Sequence, residues 1–372
     1  MRKLKLLIIS NYPPDNQQSM AKFSAMLDKI YAPLAQTTLV HPPIIATRLP
    51  LRSPIISKYL AYIDKLFFFP IWLVLNSWRY NLIHIADHGN SFYSFLCPRQ
   101  KTLVTCHDLL AVRGAMGDPS ASCQASPLGP FLQRLILLGL GNSSAIAFVS
   151  QATYRDYISL QSKHLPQRHQ VIPNTLNARF TYDINKLNLT SAEYSILPSV
   201  PYLLMVGSAL PRKNRKTALK ILCELSNDSD FKLVFAGAPL TQDESSFQSS
   251  HIYGRRLISI AHPSHELLNM LYCNAYALLF PSLSEGFGWP LIEAQASGCP
   301  VIASNTTCIP EVAGSGALYS DPLDVSQFIH HINILADQGQ RSILCKLGFE
   351  NLKRFDYHAV ASSYHSFSGI TQ

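Results

Sequence analysis

The sequence predicts an α/β protein built from two Rossmann-like, parallel-sheet domains, and three observations lead there. At 372 residues the chain is long for one core, because cores stop growing near roughly 250–300 residues and chains then divide. Hydrophobic residues make up 47%, enough to fill large cores and to exclude disorder. Short strand-like runs recur ahead of helix-like segments. The first of them, Leu4 to Ser10, is apolar on both faces, as a strand inside a parallel sheet must be.

The basic start, Met1 to Lys5, and the apolar run behind it meet Pro13-Pro14 at once. That is too short for a signal peptide, so a first strand is expected. Asn11 to Ser19 read as the loop after it, and Met20 to Tyr31 as a helix. Tyr59 to Trp78 is the most apolar region. Pro70 is expected to break it, and no segment reaches the roughly 20 apolar residues of a membrane span. Two expectations follow: a helix buried against the sheet or at the domain cleft, or a surface dipping into a bilayer beside Lys58, Lys65 and Arg79. Leu82 to Ala86 is a strand, with Asp87-His88-Gly89-Asn90 as the loop at its carboxyl end. Thr102 to Cys106 is another, ending in His107-Asp108. Open α/β sheets bind ligands outside the carboxyl ends of their strands, so both polar clusters fall on one side. A lone histidine is more often a structural hydrogen-bonder than a catalyst; two clusters at strand ends make these residues site candidates. Gly114 to Pro130 reads as a mobile loop, Phe131 to Gly141 as a helix, Ala145 to Val149 as a strand, and a helix runs from Ser150 to about Leu160. Asn185 to Pro201, aperiodic and with two prolines, reads as the linker.

Tyr202 to Val206 opens the second sheet. Gly207 to Pro211 turn, and a helix is expected from about Lys213 to Leu225. Arg212, Lys213, Arg215 and Lys216 crowd its first turn, where positive charge opposes the helix dipole. A solvated charge run is the plain reading, and Arg215 and Lys216 keep it. A fixed anion would reverse the penalty: Arg212 could grip phosphate oxygens as a fork and Lys213 act as a point charge. Phe231 to Ala236 and Arg256 to Ala261 are strands, and His265 to Cys273 a helix. Then comes LFPSLSEGFGWPLIEAQASGCPV, Leu279 to Val301. Tyr276 to Phe280 suit a buried strand, Pro281 to Gly288 a loop, and Pro290 the first turn of a helix that Gly298 and Pro300 end. Unpaired N–H groups at that helix start, beside Gly286 and Gly288, form a seat for an anion such as a diphosphate. Glu285 and Glu293 frame it, with seven residues between them. Phe287 and Trp289 are large apolar residues in a loop, where such residues often wall a pocket.

Glu285-Gly-Phe-Gly…Glu293, followed by Ala294, Gly298, Pro300 and Val301, resembles the donor-site signature of the retaining nucleotide-sugar glycosyltransferases of family 4. The resemblance is strong after Tyr202 and weaker before it. It implies the GT-B fold, two domains facing each other across a cleft: residues 1–184 on the acceptor side, a linker at 185–201, a donor domain at 202–355, and a last helix, 356–372, packing back on the first domain. It implies donor contacts from Arg212, Lys213, Gly286, Phe287, Gly288, Pro290, Leu291 and Glu293, the last to the ribose. Glu285 is implied at the sugar and its cationic transition state. His107, in a Thr-Cys-His-Asp run like the family's histidine motif, is implied beside the transferred sugar, with Asp108 as its orienter and Asp87 and His88 on the acceptor side. Where the family carries a glycine pair near the transferred sugar, this chain has Gln17-Gln18-Ser19, which places Gln18 and Ser19 among the acceptor-side candidates. The implied reaction moves a mannose- or glucose-type sugar from a nucleoside diphosphate sugar to a hydroxyl of a saccharide or lipid-linked acceptor, with retention. Neither a metal nor a cofactor is expected, since fixed cations can do the metal's work. The alternatives are a nucleotide-sugar epimerase and a catalytically silent sugar-nucleotide-binding protein.

The net charge of +8 points to anionic partners. Nucleic acid ranks last among them, because neither zinc-finger spacing nor a basic–aromatic repeat is present. The 8 cysteines are scattered without a C-x-x-C, which fits reduced thiols in the cytoplasm, with peripheral contact to the inner face of the membrane as an extension.

Overall fold

The computed structural model describes residues 4–48, 54–121, 123, 129–160, 168–187, 189–225 and 231–370. They form two compact units. One comprises Met1–Asp118, Cys123–Asn177 and Tyr357–Gln372; the other, Pro119–Ser122 and Ala178–Asp356. The division falls at Asn177, ahead of the 185–201 linker that the sequence suggests, so 178–201 goes with the second unit. Polar bonds hold it there: Thr181 N–H donates to Asn269 Oδ1 at 3.0 Å, and Asn269 Nδ2 donates back to Thr181 O at 2.8 Å. Ser191–Ile196 is a single helical turn and a half, started by a Thr190/Glu193 capping box. Six residues are too few to show a period.

The first unit is a six-stranded parallel sheet: β1 (Leu4–Ile9), β2 (Ala35–Val40), β3 (Leu82–Ile85), β4 (Thr102–Cys106), β5 (Ala145–Phe148) and β6 (Arg168–Val171), in the order β2-β1-β3-β4-β5-β6. Alternate residues serve opposite cores. Leu6 and Ile8 meet Phe23, Leu27 and Tyr31, together with Val360, Tyr364 and Phe367 of the C-terminal helix Tyr357–Ser368. Leu7 and Ile9 meet Phe69, Leu73, Tyr93 and Phe148 on the other face. Each fully buried side chain of this size is worth about 1.5–3 kcal/mol, and burial on both faces is why the inner strands β4 and β5 lack polar alternation. Of the expected Gly114–Pro130 loop, Gly114 and Ala115 close a helix, Leu110–Ala115, and Pro119–Ala121 make a 3-10 turn. Residues 122 and 124–128 lie outside the described residues.

The apolar region differs from the expected broken, buried segment. It is nearly continuous helix: α Pro54–Ile63, a π turn Asp64–Phe68, α Phe69–Asn76 and a 3-10 turn Ser77–Arg79. Pro70 does not break it. The wide π turn just before, where Phe69 N–H reaches Asp64 O, makes room for the ring. Tyr59–Arg79 is 21 residues with mean hydropathy 1.3, long and apolar enough to cross a membrane, and only 22% of it is buried. The expectations of a segment too short to span and of a helix buried against the sheet are both corrected. The side chain of Lys58 lies outside the described residues.

The second unit repeats the plan with β7 (Tyr202–Gly207), β8 (Lys232–Gly237), β9 (Leu257–Ala261), β10 (Ala277–Phe280), β11 (Val301–Ser304) and β12 (Leu318–Ser320), in the order β12-β11-β10-β7-β8-β9. Leu203, Met205, Phe235 and Leu279 pack against Ala218, Ile221 and Leu222 of the helix Arg215–Glu224. Each sheet has one point where the strand order reverses: between β1 and β3 in the first, and between β7 and β10 in the second. Ligand crevices form at such points, outside the carboxyl ends of the strands.

Candidate functional site

The β7/β10 reversal gathers the residues that the sequence assigns to the donor. β7 runs into a 3-10 turn, Pro211–Lys213, and Asn214 follows in the left-handed region at φ +58°. The helix therefore opens only at Arg215. Arg212 and Lys213 stand before it, not in its first turn, which corrects the expectation and removes the dipole penalty for those two. Asn214 Nδ2 pins the turn across the reversal by donating to Pro281 O at 3.0 Å and Pro322 O at 2.8 Å.

Both cations converge on Glu285. Arg212 Nη1 and Lys213 Nζ each lie 2.6 Å from its carboxylate oxygens, and Arg212 Nη1 also donates to Ser284 O at 3.1 Å. Lys213 Nζ lies 5.3 Å above the Phe280 ring. Burial alone would raise the Glu285 pKa. Lys213 and Arg212 outweigh it and hold the group below the ordinary carboxylate value. The loop is closed from behind: Glu285 N–H donates to Thr307 Oγ1 at 3.2 Å, and the Cys308 thiol donates to the carbonyls of Glu285 and Phe287. Gly288 caps the helix Trp289–Ala296 at φ +93°, a conformation that favours glycine.

Several donor-side expectations change. Leu291 N–H donates to Gly288 O at 3.0 Å, and Pro290 has none, so the expected N–H seat is narrower than Gly288 to Leu291. Phe287 is buried, edge-on to Trp289 and Phe355. Glu293 is buried and accepts from Tyr272 O–H at 2.9 Å. Arg215, read as solvated, is buried: it donates to Glu244 at 3.0 Å and to the carbonyls of Gly207, Ala238 and Pro239, over the Phe235 ring. Its partners are 8 to 29 residues away in sequence, beyond what a charge run reveals. Lys216 is exposed, as expected.

The β1/β3 reversal gathers the other candidates. Asp87 is buried at the end of β3. Its carboxylate accepts from Gly89 N–H at 3.0 Å and Asn11 Nδ2 at 2.5 Å, and pairs with His88 Nδ1 at 3.1 Å. Burial opposes its charge, but His88, His107 and Asn11 reverse that and depress its pKa. His88 is held between two carboxylates, with Asp108 at 4.0 Å from Nε2. Burial would lower its pKa, and Asp87 and Asp108 raise it instead. His107 is buried, edge-on to Phe23 at 4.4 Å, with Nε2–H donating to Ala86 O at 2.9 Å. Burial favours its neutral form. Asp108 accepts from Leu110 N–H and faces His88, whereas the Nε2–H of His107 goes to Ala86 O. Gln18 and Ser19, read as loop, are the first exposed residues of the helix Gln18–Tyr31. Gln17 and Asn90, named in the sequence only as parts of the 17–19 and 87–90 stretches, line one cavity with Asn11, for which the sequence gives no signal. Among the described residues no group of three His, Cys, Asp or Glu side chains could hold a metal. The sequence's one Asp-x-Asp pair, Asp228 and Asp230, lies outside the described residues.

Known proteins resemble this chain in part of its sequence and in its fold. The O-antigen chain mannosyltransferase B of Escherichia coli is 32% identical over 161 residues, 42% of this chain and 42% of that one. An O-antigen chain mannosyltransferase of Salmonella typhimurium is 31% identical over 167 residues, 44% of this chain and 47% of that one. These matches span less than half of the relatives' length. Among solved structures, the sucrose-phosphate synthase of Thermosynechococcus elongatus superposes over 98% of both chains with a TM-score of 0.70 at 19% identity, so the fold is the two-sheet GT-B architecture. Residues 191–346 match the family described as Glycosyl transferases group 1. That stretch, similar to the group 1 glycosyl transferases, holds the two cations, Glu285 and Glu293.

Proposed function

We propose that the chain is a retaining glycosyltransferase. It moves a sugar, mannose- or glucose-type, from a nucleoside diphosphate sugar to a hydroxyl of a saccharide or lipid-linked acceptor. The observation that carries the reading is the convergence of Arg212 and Lys213 on Glu285 at the β7/β10 reversal. Two fixed cations ahead of a glycine-capped helix start stabilise charge developing on a departing diphosphate, which is the work a metal would otherwise do. Glu285, charged and immobile, stabilises the positive sugar carbon on the other side of the breaking bond. The mannosyltransferase relatives favour a mannose donor. Glu293, oriented by Tyr272, accepts from the ribose hydroxyls. The test is a thermal-shift panel of GDP, GDP-mannose, UDP and UDP-glucose. One of them should stabilise the chain by RT ln(1 + [L]/Kd), and no shift with any would overturn the proposal.

The long apolar helix supports peripheral contact with the inner face of the membrane. Phe67 and Trp78 are 57% and 62% exposed. Asp64 on the same helix is fully buried, accepting from Tyr12 O–H, Ala46 N–H and Thr47, and Phe69 and Leu73 belong to the core. One face is thus committed to the protein, which favours a helix lying in the interface over one crossing it. The acceptor's site would then lie where lipid-linked sugars are displayed.

A further inference from the structure

Glu285 sits on the loop between β10 and the helix at Trp289, and residues 305–308, which follow β11, lie against that loop. Side chains of the second stretch bond to the backbone of the first. Thr306 Oγ1 reaches the carbonyls of Ser282 and Leu283, each at 3.2 Å. Thr307 Oγ1 accepts from Glu285 N–H at 3.2 Å, and the Cys308 thiol donates to Glu285 O at 3.1 Å and to Phe287 O at 3.3 Å. Thr307 and Cys308 thus grip both polar groups of the Glu285 backbone, while Arg212 and Lys213 pull on its side chain. Two details set this grip apart from ordinary loop packing. Thr307 stands at φ +51°, where a β-branched residue is held only by its surroundings, so its hydroxyl is delivered against backbone strain. Cys308 is fully buried, and burial, Glu285 and Glu311 push its thiol well above the ordinary range. It keeps the proton that a donor needs. The two cations alone would not fix the carboxylate, because both side chains are long and flexible. Holding the backbone at N–H and C=O does, and a displacement of about 1 Å in a reacting group costs about a hundredfold in rate.

We propose that Thr307 and Cys308 are positioning residues for the transfer, fixing the Glu285 backbone so that its carboxylate faces the charge that develops on the sugar. The proposal rests on the glycosyltransferase reading and adds two residues that act through Glu285. The experiment uses the full chain and measures release of GDP or UDP from GDP-mannose or UDP-glucose, with water as acceptor. The melting temperature is measured alongside. Thr307→Gly relieves the strained φ and removes the hydroxyl. Its melting temperature should stay within a few degrees of the wild type, while kcat falls about tenfold and the donor KM holds, the mark of an interaction made in the transition state. Thr307→Ser keeps the hydroxyl and should recover most of the loss. Cys308→Ala should lower kcat with the same unchanged KM; the Thr307 variants keep the test valid if it does not fold. In a Glu285→Gln background, Thr307→Gly should lower kcat no further, because the two residues act as one unit. Full kcat in Thr307→Gly, a loss that Thr307→Ser does not recover, or losses that add to that of Glu285→Gln would overturn the positioning role and leave the transferase reading standing. No release by the wild type overturns the transferase reading, and the positioning role with it.

Discussion

Replacing Glu285 with Gln isolates the charge on which both cations converge. The amide keeps one acceptor oxygen, so one of two charge-assisted bonds is lost and the other is weakened. Bonds to charged groups are worth about 1.5–3 kcal/mol. Arg212 and Lys213 side chains are 21% and 10% exposed, so water recovers a part, and the net loss is about 2 kcal/mol. That lowers the melting temperature of a unit this size by about 4–8 °C. The effect has a defined pH dependence. The Glu285 pKa is depressed in the folded chain, so its contribution is complete above the unfolded value of about 4.3 and is lost as pH falls through the folded value. The gap between wild type and variant, measured by urea unfolding, is full near neutral pH and closes in acid. Ligand binding moves the other way. A unit charge about 6 Å from a phosphate costs about 3 kcal/mol at an effective dielectric of about 20. Removing it should tighten nucleoside diphosphate binding tenfold or more, while turnover collapses because the sugar cation loses its counter-charge. A gap that persists unchanged in acid, or weaker diphosphate binding by the variant, would refute this account of the site.

Four further outcomes are expected. Arg212→Ala with Lys213→Ala should raise the nucleoside diphosphate Kd about a hundredfold or more by calorimetry, and unchanged binding would remove the clamp. Tyr272→Phe removes one hydrogen bond to the buried Glu293 carboxylate; the expected cost is about 1–3 kcal/mol in denaturant unfolding, and a neutral result would mean that this bond adds nothing to stability. Arg215→Met strips Glu244 of its buried partner and should cost about 3–5 kcal/mol, whereas a solvated arginine would give less than about 0.5. Wild type should float with anionic liposomes and Phe67→Glu with Trp78→Glu should not; both positions are exposed, so folding is spared, and a wild type that stays in solution would end the membrane proposal.

The inner strands were legible because they are apolar on both faces over four to six residues, whereas the edge strands Ala35–Val40, Arg168–Val171 and Leu318–Ser320 are partly exposed and carry no such run. Thr102–Cys106 and Tyr202–Gly207 stand where such runs lie. The glycine-capped helix start at Gly288 was legible for a local reason too: glycine and proline restrict the backbone of their own and neighbouring residues. The apolar helix misled because Pro70 reads as a breaker, and only a π turn, which has no sequence period, accommodates it. Arg215 misled because its burial depends on carbonyls delivered by β7 and β8.

By itself, the amino-acid order determined the alternation of strands and helices and which residues end the strands, since those follow from short-range sterics and the burial of apolar runs. The tertiary structure alone decided partnership. Glu285 meets Arg212 across 73 residues, and Asp87 meets Asn11 across 76. The parallel pairing of β7 with β10 and of β1 with β3 brings those ends together, and no local pattern in the chain encodes which polar group a strand end will find opposite.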